Sequence, residues 1–279
     1  MPQFTRALFL QALDEWGSYP EAFAQLPESE QTSFLQGQGY ASCRDVLAHV
    51  GVWWEESRAR IGDVLARRPA PPRRYSFDSF NAAAVNRFKG TPDGEFAAWY
   101  ESQRHEMIAM VQGMTEDQVR SSRVGGWLDG VVLEHLKEHC VGAPRFLARD
   151  ILQREWAEAP GRFGALSPEK QAAFLKKQGF ARFRDLAAHV IAWWEQGIQS
   201  IEASAQGGVA EVDDIDGFNA EAVDRFGKLE AGEVFVRYEE TRLTLVRLID
   251  SLPEQVYSKP NVQGWLRADV LAHYYDHAL

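Results

Sequence analysis

Cysteine is scarce in this chain: two residues, Cys43 and Cys140, set far apart. That excludes a disulfide framework and the paired short spacings of zinc ribbons and redox motifs, and points to free thiols in a reducing compartment. Long apolar runs are missing too. None approaches the roughly 18 residues a membrane span needs, and Met1-Pro-Gln-Phe-Thr-Arg lacks the basic-then-apolar layout of a secretory signal. A cytoplasmic location is expected. Positive charge is in deficit, with a formal net charge of −10, which argues against a nucleic-acid partner because phosphate binding needs clustered Lys and Arg. One basic cluster exists, Arg67-Arg68-Pro-Ala-Pro-Pro-Arg73-Arg74, and the matching segment Gln206 to Asp216 is acidic; both read as solvated loops. Alternating strand patterns of useful length are absent.

What the chain has is a copy of itself. Asp45-Val-Leu-Ala-His49-Val-Gly-Val-Trp53-Trp54-Glu55 returns as Asp185-Leu-Ala-Ala-His189-Val-Ile-Ala-Trp193-Trp194-Glu195, 140 residues later in a chain of 279. The matches keep one order through both halves. Phe34-Leu35 and Gln38-Gly39-Tyr40 answer Phe174-Leu175 and Gln178-Gly179-Phe180; Phe80-Asn81 to Arg87-Phe88 answers Phe218-Asn219 to Arg225-Phe226; Gly126-Trp127-Leu128 answers Gly264-Trp265-Leu266. The offset falls to 138 between Asn81 and Asn219, so the loop before them is two residues shorter in the second copy. A repeat of this kind fixes the architecture before any secondary structure is assigned. We expect two domains, 1–142 and 143–279, each long enough to bury its own core.

Apolar spacing within each half is helical throughout. It predicts helices over Phe4–Leu26, Ser42–Arg67 with Ser42 as N-cap, Ser79–Phe88, Pro92–Gly113 and Leu128–Cys140. The second copy repeats them as Pro144–Leu166, Phe183–Ala205, Gly217–Phe226, Gly232–Leu252 and Leu266–Ala278. Four principal helices per half make an all-α chain of two tandem four-helix bundles.

Six of the seven histidines recur in the repeat: His49, His135 and His139 in the first half, His189, His273 and His277 in the second. The seventh, His105, has Leu243 as its counterpart. His135/His139 and His273/His277 stand at i and i+4, on one face of a helix, and a third ligand from a neighbouring helix completes an interior metal site in a bundle. Three neutral imidazoles suit zinc or nickel, with iron or manganese as alternatives, and leave a coordination position open, as in catalytic sites. Because the second set ends two residues from Leu279, its helix is the more prone to fray. Trp53 and Trp193, one turn after the first ligand, and Asn81 and Asn219 in the short helix are candidates for substrate binding. Core packing and backbone capping compete with that role. Tyr100 with Arg104, and Tyr238 with Arg242, lie one turn apart and read as surface pairs. No general base stands out: Glu56, Glu134 and Glu138 have Gln196, Ala272 and Asp276 as counterparts.

Arg44-Asp-Val-Leu-Ala-His49 together with His135-x-x-x-His139 resembles the DinB/YfiT-like superfamily of bacterial four-helix bundles. Phe80-Asn81 to Arg87-Phe88 and Trp53-Trp54-Glu55 look more like its ClbS/DfsB-like branch. The resemblance covers nearly the whole chain, twice. It implies a divalent metal on each histidine triad and a small-molecule substrate, with hydrolysis or thiol-dependent transfer as the chemistry, in a detoxification or stress role. The alternative is a non-catalytic protein that sequesters a ligand. A fused pair of such bundles is expected to pack as an internal pseudo-dimer, a monomer with its own pseudo-twofold.

Overall fold

Helices account for all the regular structure among the described residues of the computed structural model, which are 4–68, 75–139, 142–208 and 212–277. No strand occurs among them, and no helix is long and apolar enough to cross a membrane. Residues 69–74 and 209–211 of the two charged loops, and Cys140, lie outside the described residues. The chain divides into two compact units, Met1–Val141 and Gly142–Leu279.

The first unit contains α1 (Arg6–Ala24), α2 (Glu28–Gln38), α3 (Cys43–Leu65), α4 (Phe77–Arg87), α5 (Asp93–Gln112) and α6 (Glu116–Arg120). Its last helix, α7, runs from Ser122–Leu128 through a π-helical segment, Asp129–Glu134, into His135–His139. The second unit repeats this order. It has α8 (Arg145–Asp150, π segment Ile151–Glu155, then Trp156–Gly164), α9 (Pro168–Gln178), α10 (Phe183–Ala205), α11 (Ile215–Gly227) and α12 (Ala231–Ser251). The short α13 (Glu254–Tyr257) follows, and then α14, running from Pro260–Trp265 through the π segment Leu266–Ala272 to His273–His277.

Two differences from the sequence reading have clear causes. Helices α2 and α9 escape it: neither fully buries a side chain, and their half-buried Phe34 and Phe174 pack on Phe23 and Phe163 of the preceding helix. Helix α7 starts before Leu128 because Gly125 and Gly126 do not break it. A Cβ on Gly125 would stand 2.7 Å from the Val119 carbonyl oxygen, so the glycine is there for close approach to α6. Ser42 caps α3 as expected, accepting from the Asp45 amide.

In the first unit α1 packs on α5, α5 on α3, α3 on α7 and α7 on α1, a closed ring around the core. Trp16 and Trp54 meet edge to face at its centre, 5.9 Å between centroids, and Trp54 stacks on Tyr100 at 5.5 Å. Trp156, Trp194 and Tyr238 repeat the arrangement. The tyrosine has a second task. Pro20 lies inside α1 and Pro160 inside α8; lacking an N–H, each leaves the carbonyl four residues earlier without its helical donor. Tyr100 Oη donates to that carbonyl on Trp16 (3.1 Å), and Tyr238 Oη to that on Trp156 (2.7 Å). Arg104 and Arg242 donate to the Leu13 and Leu152 carbonyls. These pairs therefore tie helices together and are not surface pairs.

The last helix of the first unit is held through its π segment. A π turn loosens the i→i−4 ladder and turns carbonyls outward. Val131 O accepts from Trp54 Nε1 at 2.9 Å, and Val132 O from Trp16 Nε1 at 3.3 Å. Truncating Trp54→Ala removes a fully buried indole and one of these bonds, and should destabilise the first unit by about 3–5 kcal/mol in urea denaturation. A loss below about 1 kcal/mol would mean the core does not depend on it.

Candidate metal centre

Helix α3 brings His49, and the end of α7 brings His135 and His139, to one point; α10 and α14 do the same with His189, His273 and His277. Within each triad one nitrogen per ring lies within 4.8 Å of the others. Nε2 of His49 is 3.0 Å from Nε2 of His135, and Nε2 of His189 is 2.8 Å from Nε2 of His273. Ring centroids stand 4.9–5.5 Å apart in the first set and 4.7–5.2 Å in the second. Nitrogens on one tetrahedral ion at about 2.0–2.1 Å are about 3.3–3.4 Å from each other, so small side-chain adjustments span the difference.

The outer nitrogens fix the tautomers. His135 Nδ1 lies 2.6 Å from the Gly130 carbonyl, again in the π segment. A carbonyl only accepts, so Nδ1 carries the proton and Nε2 presents its lone pair inward. His139 is set by Gln38, whose Nε2 donates to the Glu138 carbonyl (3.0 Å) and whose Oε1 faces His139 Nδ1 (2.7 Å). Gln178 does the same for His277, donating to Asp276 O at 3.0 Å with 2.7 Å to Nδ1. Each glutamine ends its helix one residue before a glycine at positive φ, +74° at Gly39 and +77° at Gly179, a turn that an L side chain would strain. Outer hydrogen bonds of this type orient metal-binding imidazoles.

Charge state matches. Burial, reinforced by His135 and His139, drives the His49 pKa down to about 2, although the nearby Asn81 amide opposes the shift. Burial brings His135 down to about 4 against the Gly130 carbonyl, and brings His189 to about 4. His273 and His277 are also lowered, by burial first. All are neutral at pH 7, the form that binds a metal. His49 Nδ1 is buried with no hydrogen-bond partner among the described residues. Three inward-facing nitrogens, two of them on rings whose outer nitrogen is hydrogen-bonded, fit a divalent ion.

A cavity of about 790 Å³ opens over the first triad; Tyr40, Trp53, Asn81, Trp127, Glu134 and Glu138 are among the residues lining it. Glu138 Oε2 is 3.9 Å from His139 Nε2. The Tyr40 pKa is pushed up to about 12, chiefly by burial, so the phenol brings no charge. Trp53 Nε1 donates to Asn81 Oδ1 at 2.9 Å, and Trp193 Nε1 to Asn219 Oδ1 at 2.8 Å. The asparagines lie inside α4 and α11, so neither caps its helix; each anchors the neighbouring tryptophan. His105 is exposed and belongs to neither triad. Glu55 is held by Arg87 and Trp99, and Glu195 by Arg225 and Arg237. Gln38, Gln178 and Trp127 stand out in the sequence only as recurring letters, and Tyr40 as an aromatic answered by Phe180, because a side chain that orients a histidine leaves no spacing signature of its own.

Replacing Gln38 by Ala should weaken zinc at the first site by about 10–100-fold in competition titration while leaving the second unchanged; equal affinities at both would refute its role. The folded pKa values lie below the unfolded 6.5. The stability these histidines contribute is therefore complete above about pH 6.5 and drains away as pH falls towards 4. Metal-stripped protein should melt at steadily lower temperature from pH 7.5 to 5, and His49→Asn should flatten that slope. Comparison with known proteins finds no matching family model, no matching curated protein and no matching solved structure, so the reading of this centre rests on its own chemistry.

Proposed function

We propose that the chain is a tandem pair of DinB-like four-helix bundles, each holding a divalent ion on its triad, and that it is a metal-dependent enzyme acting on a small molecule. Zinc or nickel suits the donors best, with iron or manganese as alternatives. The observation that carries the reading is the combination found in the first unit: three imidazoles that bring one nitrogen each within 4.8 Å of the others, at the foot of an accessible cavity. A structural site would be closed by a fourth protein ligand, whereas an open face serves a substrate. When bound, the ion supplies a Lewis-acidic charge that polarises a ligand and brings the pKa of a coordinated water towards neutrality.

The chain's own residues supply the setting. Trp53, fixed by Asn81, and Tyr40 shield the triad from bulk water and give the cavity an apolar floor. Glu138, 3.9 Å from His139 Nε2, is placed to accept a hydrogen bond from a group bound at the open face. Hydrolysis and thiol-dependent transfer both use such a site. The alternative is a ligand-sequestering protein without catalysis, in which the metal serves as an anchor.

Protein purified without a histidine tag and supplied with zinc, nickel, manganese or iron should hold two equivalents of metal per chain. His49→Ala should remove one. Absence of stoichiometric metal under all four conditions refutes the metalloenzyme reading, and an unchanged content in the variant refutes the first triad.

A further inference from the structure

The cavity over the first triad has walls that holding an ion does not require. Trp53, Tyr75, Phe77 and Trp127 all line it. Their centroids stand 5.3 Å (Trp53–Tyr75), 5.8 Å (Trp53–Phe77), 6.4 Å (Tyr75–Phe77) and 6.2 Å (Tyr75–Trp127) apart. Tyr75 is fixed in place, its hydroxyl donating to Glu56 Oε1 at 2.6 Å, an oxygen that also accepts from Arg60 Nε at 2.7 Å. Phe77 is 63% exposed, a large ring left open at the cavity. Glu134 and Glu138 border the same space, and Arg123, an exposed residue, is the one guanidinium among the described residues that line it.

Comparison of the two copies separates these walls from the metal-holding groups. The three histidines and the glutamine recur, and so does the Trp–Asn pair. Tyr75, Phe77 and Glu134, however, have Asp213, Ile215 and Ala272 as counterparts at the 138-residue offset. The ring of aromatics with a carboxylate pair is thus particular to the first unit and must answer to something other than the ion. Aromatic faces carry negative potential and attract cationic nitrogen, most strongly when several rings surround it away from water. Carboxylates at the border add counter-charge.

We propose that the first cavity takes an organic cation, a small molecule whose substituted ammonium or similar cationic nitrogen sits among Trp53, Tyr75, Phe77 and Trp127, with Glu134 and Glu138 as its counter-charge. This names the ligand class of the site and rests on the reading of the first triad as the working centre. Glu138 also neighbours His139 Nε2, so a cation in the cage and an ion on the triad share one carboxylate, which offsets their repulsion.

The test is calorimetry and tryptophan fluorescence on the metal-loaded full chain, with benzyltrimethylammonium, benzyl alcohol and phenylacetate as probes. The ammonium should bind at least about tenfold more tightly than either comparator. Phe77→Ala and the double variant Glu134→Gln/Glu138→Gln should each cost about tenfold in that affinity; both change accessible side chains, and an unaltered thermal melt verifies folding. Equal or tighter binding of benzyl alcohol or phenylacetate, or an ammonium affinity untouched in both variants, overturns the proposal. Metal content measured on the same samples separates the two readings. Cation binding without stoichiometric metal leaves the cage standing and removes the metalloenzyme, while stoichiometric metal without cation binding removes the cage alone.

Discussion

Three consecutive backbone carbonyls, on Gly130, Val131 and Val132, each receive a side-chain donor: His135 Nδ1, Trp54 Nε1 and Trp16 Nε1. An ordinary α-helix would use those acceptors for its own ladder. The π segment turns them outward, so the backbone that loosens also binds α7 to the two core tryptophans and sets the tautomer of His135. Core and site share this stretch of six residues, Asp129–Glu134. The second unit builds the same segment with less satisfaction. Trp156 Nε1 and Trp194 Nε1 are buried with no partner among the described residues, and an unmet buried donor is costly.

The two copies keep the inner arrangement and let the surroundings diverge. Each has an imidazole from the third helix of its unit, two from the last, a glutamine that pins the final one, and a Trp–Asn pair alongside. Around this kernel the aromatic wall is rebuilt. Trp127 lines the first cavity, whereas its counterpart Trp265 lies directly over Gly197, where a Cβ would stand 1.6 Å from the indole. The residue answering Gly197 in the first unit is Ser57, fully buried and bonded to the Trp54 carbonyl at 3.0 Å, so Trp127 has no such bed to lie in. One glycine-for-serine difference thus goes with a different seat for the whole indole.

Much of this was legible beforehand because it is written in periodicity. The all-helical class, the long helices and the approach of His49 to His135 and His139 follow from 3.6-residue spacing and from the repeat. What stayed hidden lacks a period. Helices α2 and α9 fully bury no side chain, and Gln38 acts through one amide. The π turns depend on where carbonyls point, which composition does not encode. Tyr100 and Arg104 looked like a surface pair because their partners are backbone atoms on α1, one of them exposed by Pro20. A proline inside a helix is readable in a sequence; the tyrosine on another helix that compensates for it is not.

The π segments also set where the chain can tolerate gained or lost residues. The loop after α3 is two residues shorter in its second copy, and the matches resume beyond it undisturbed. Inside Asp129–Glu134 the situation is opposite. Each residue of a helix advances the azimuth by about 100°, so losing a single one there, with the π winding kept, would swing His135 and His139 together away from their present direction. The segment works as a phase setting for everything that follows it, one that can be altered by counting alone, with every side chain left chemically intact.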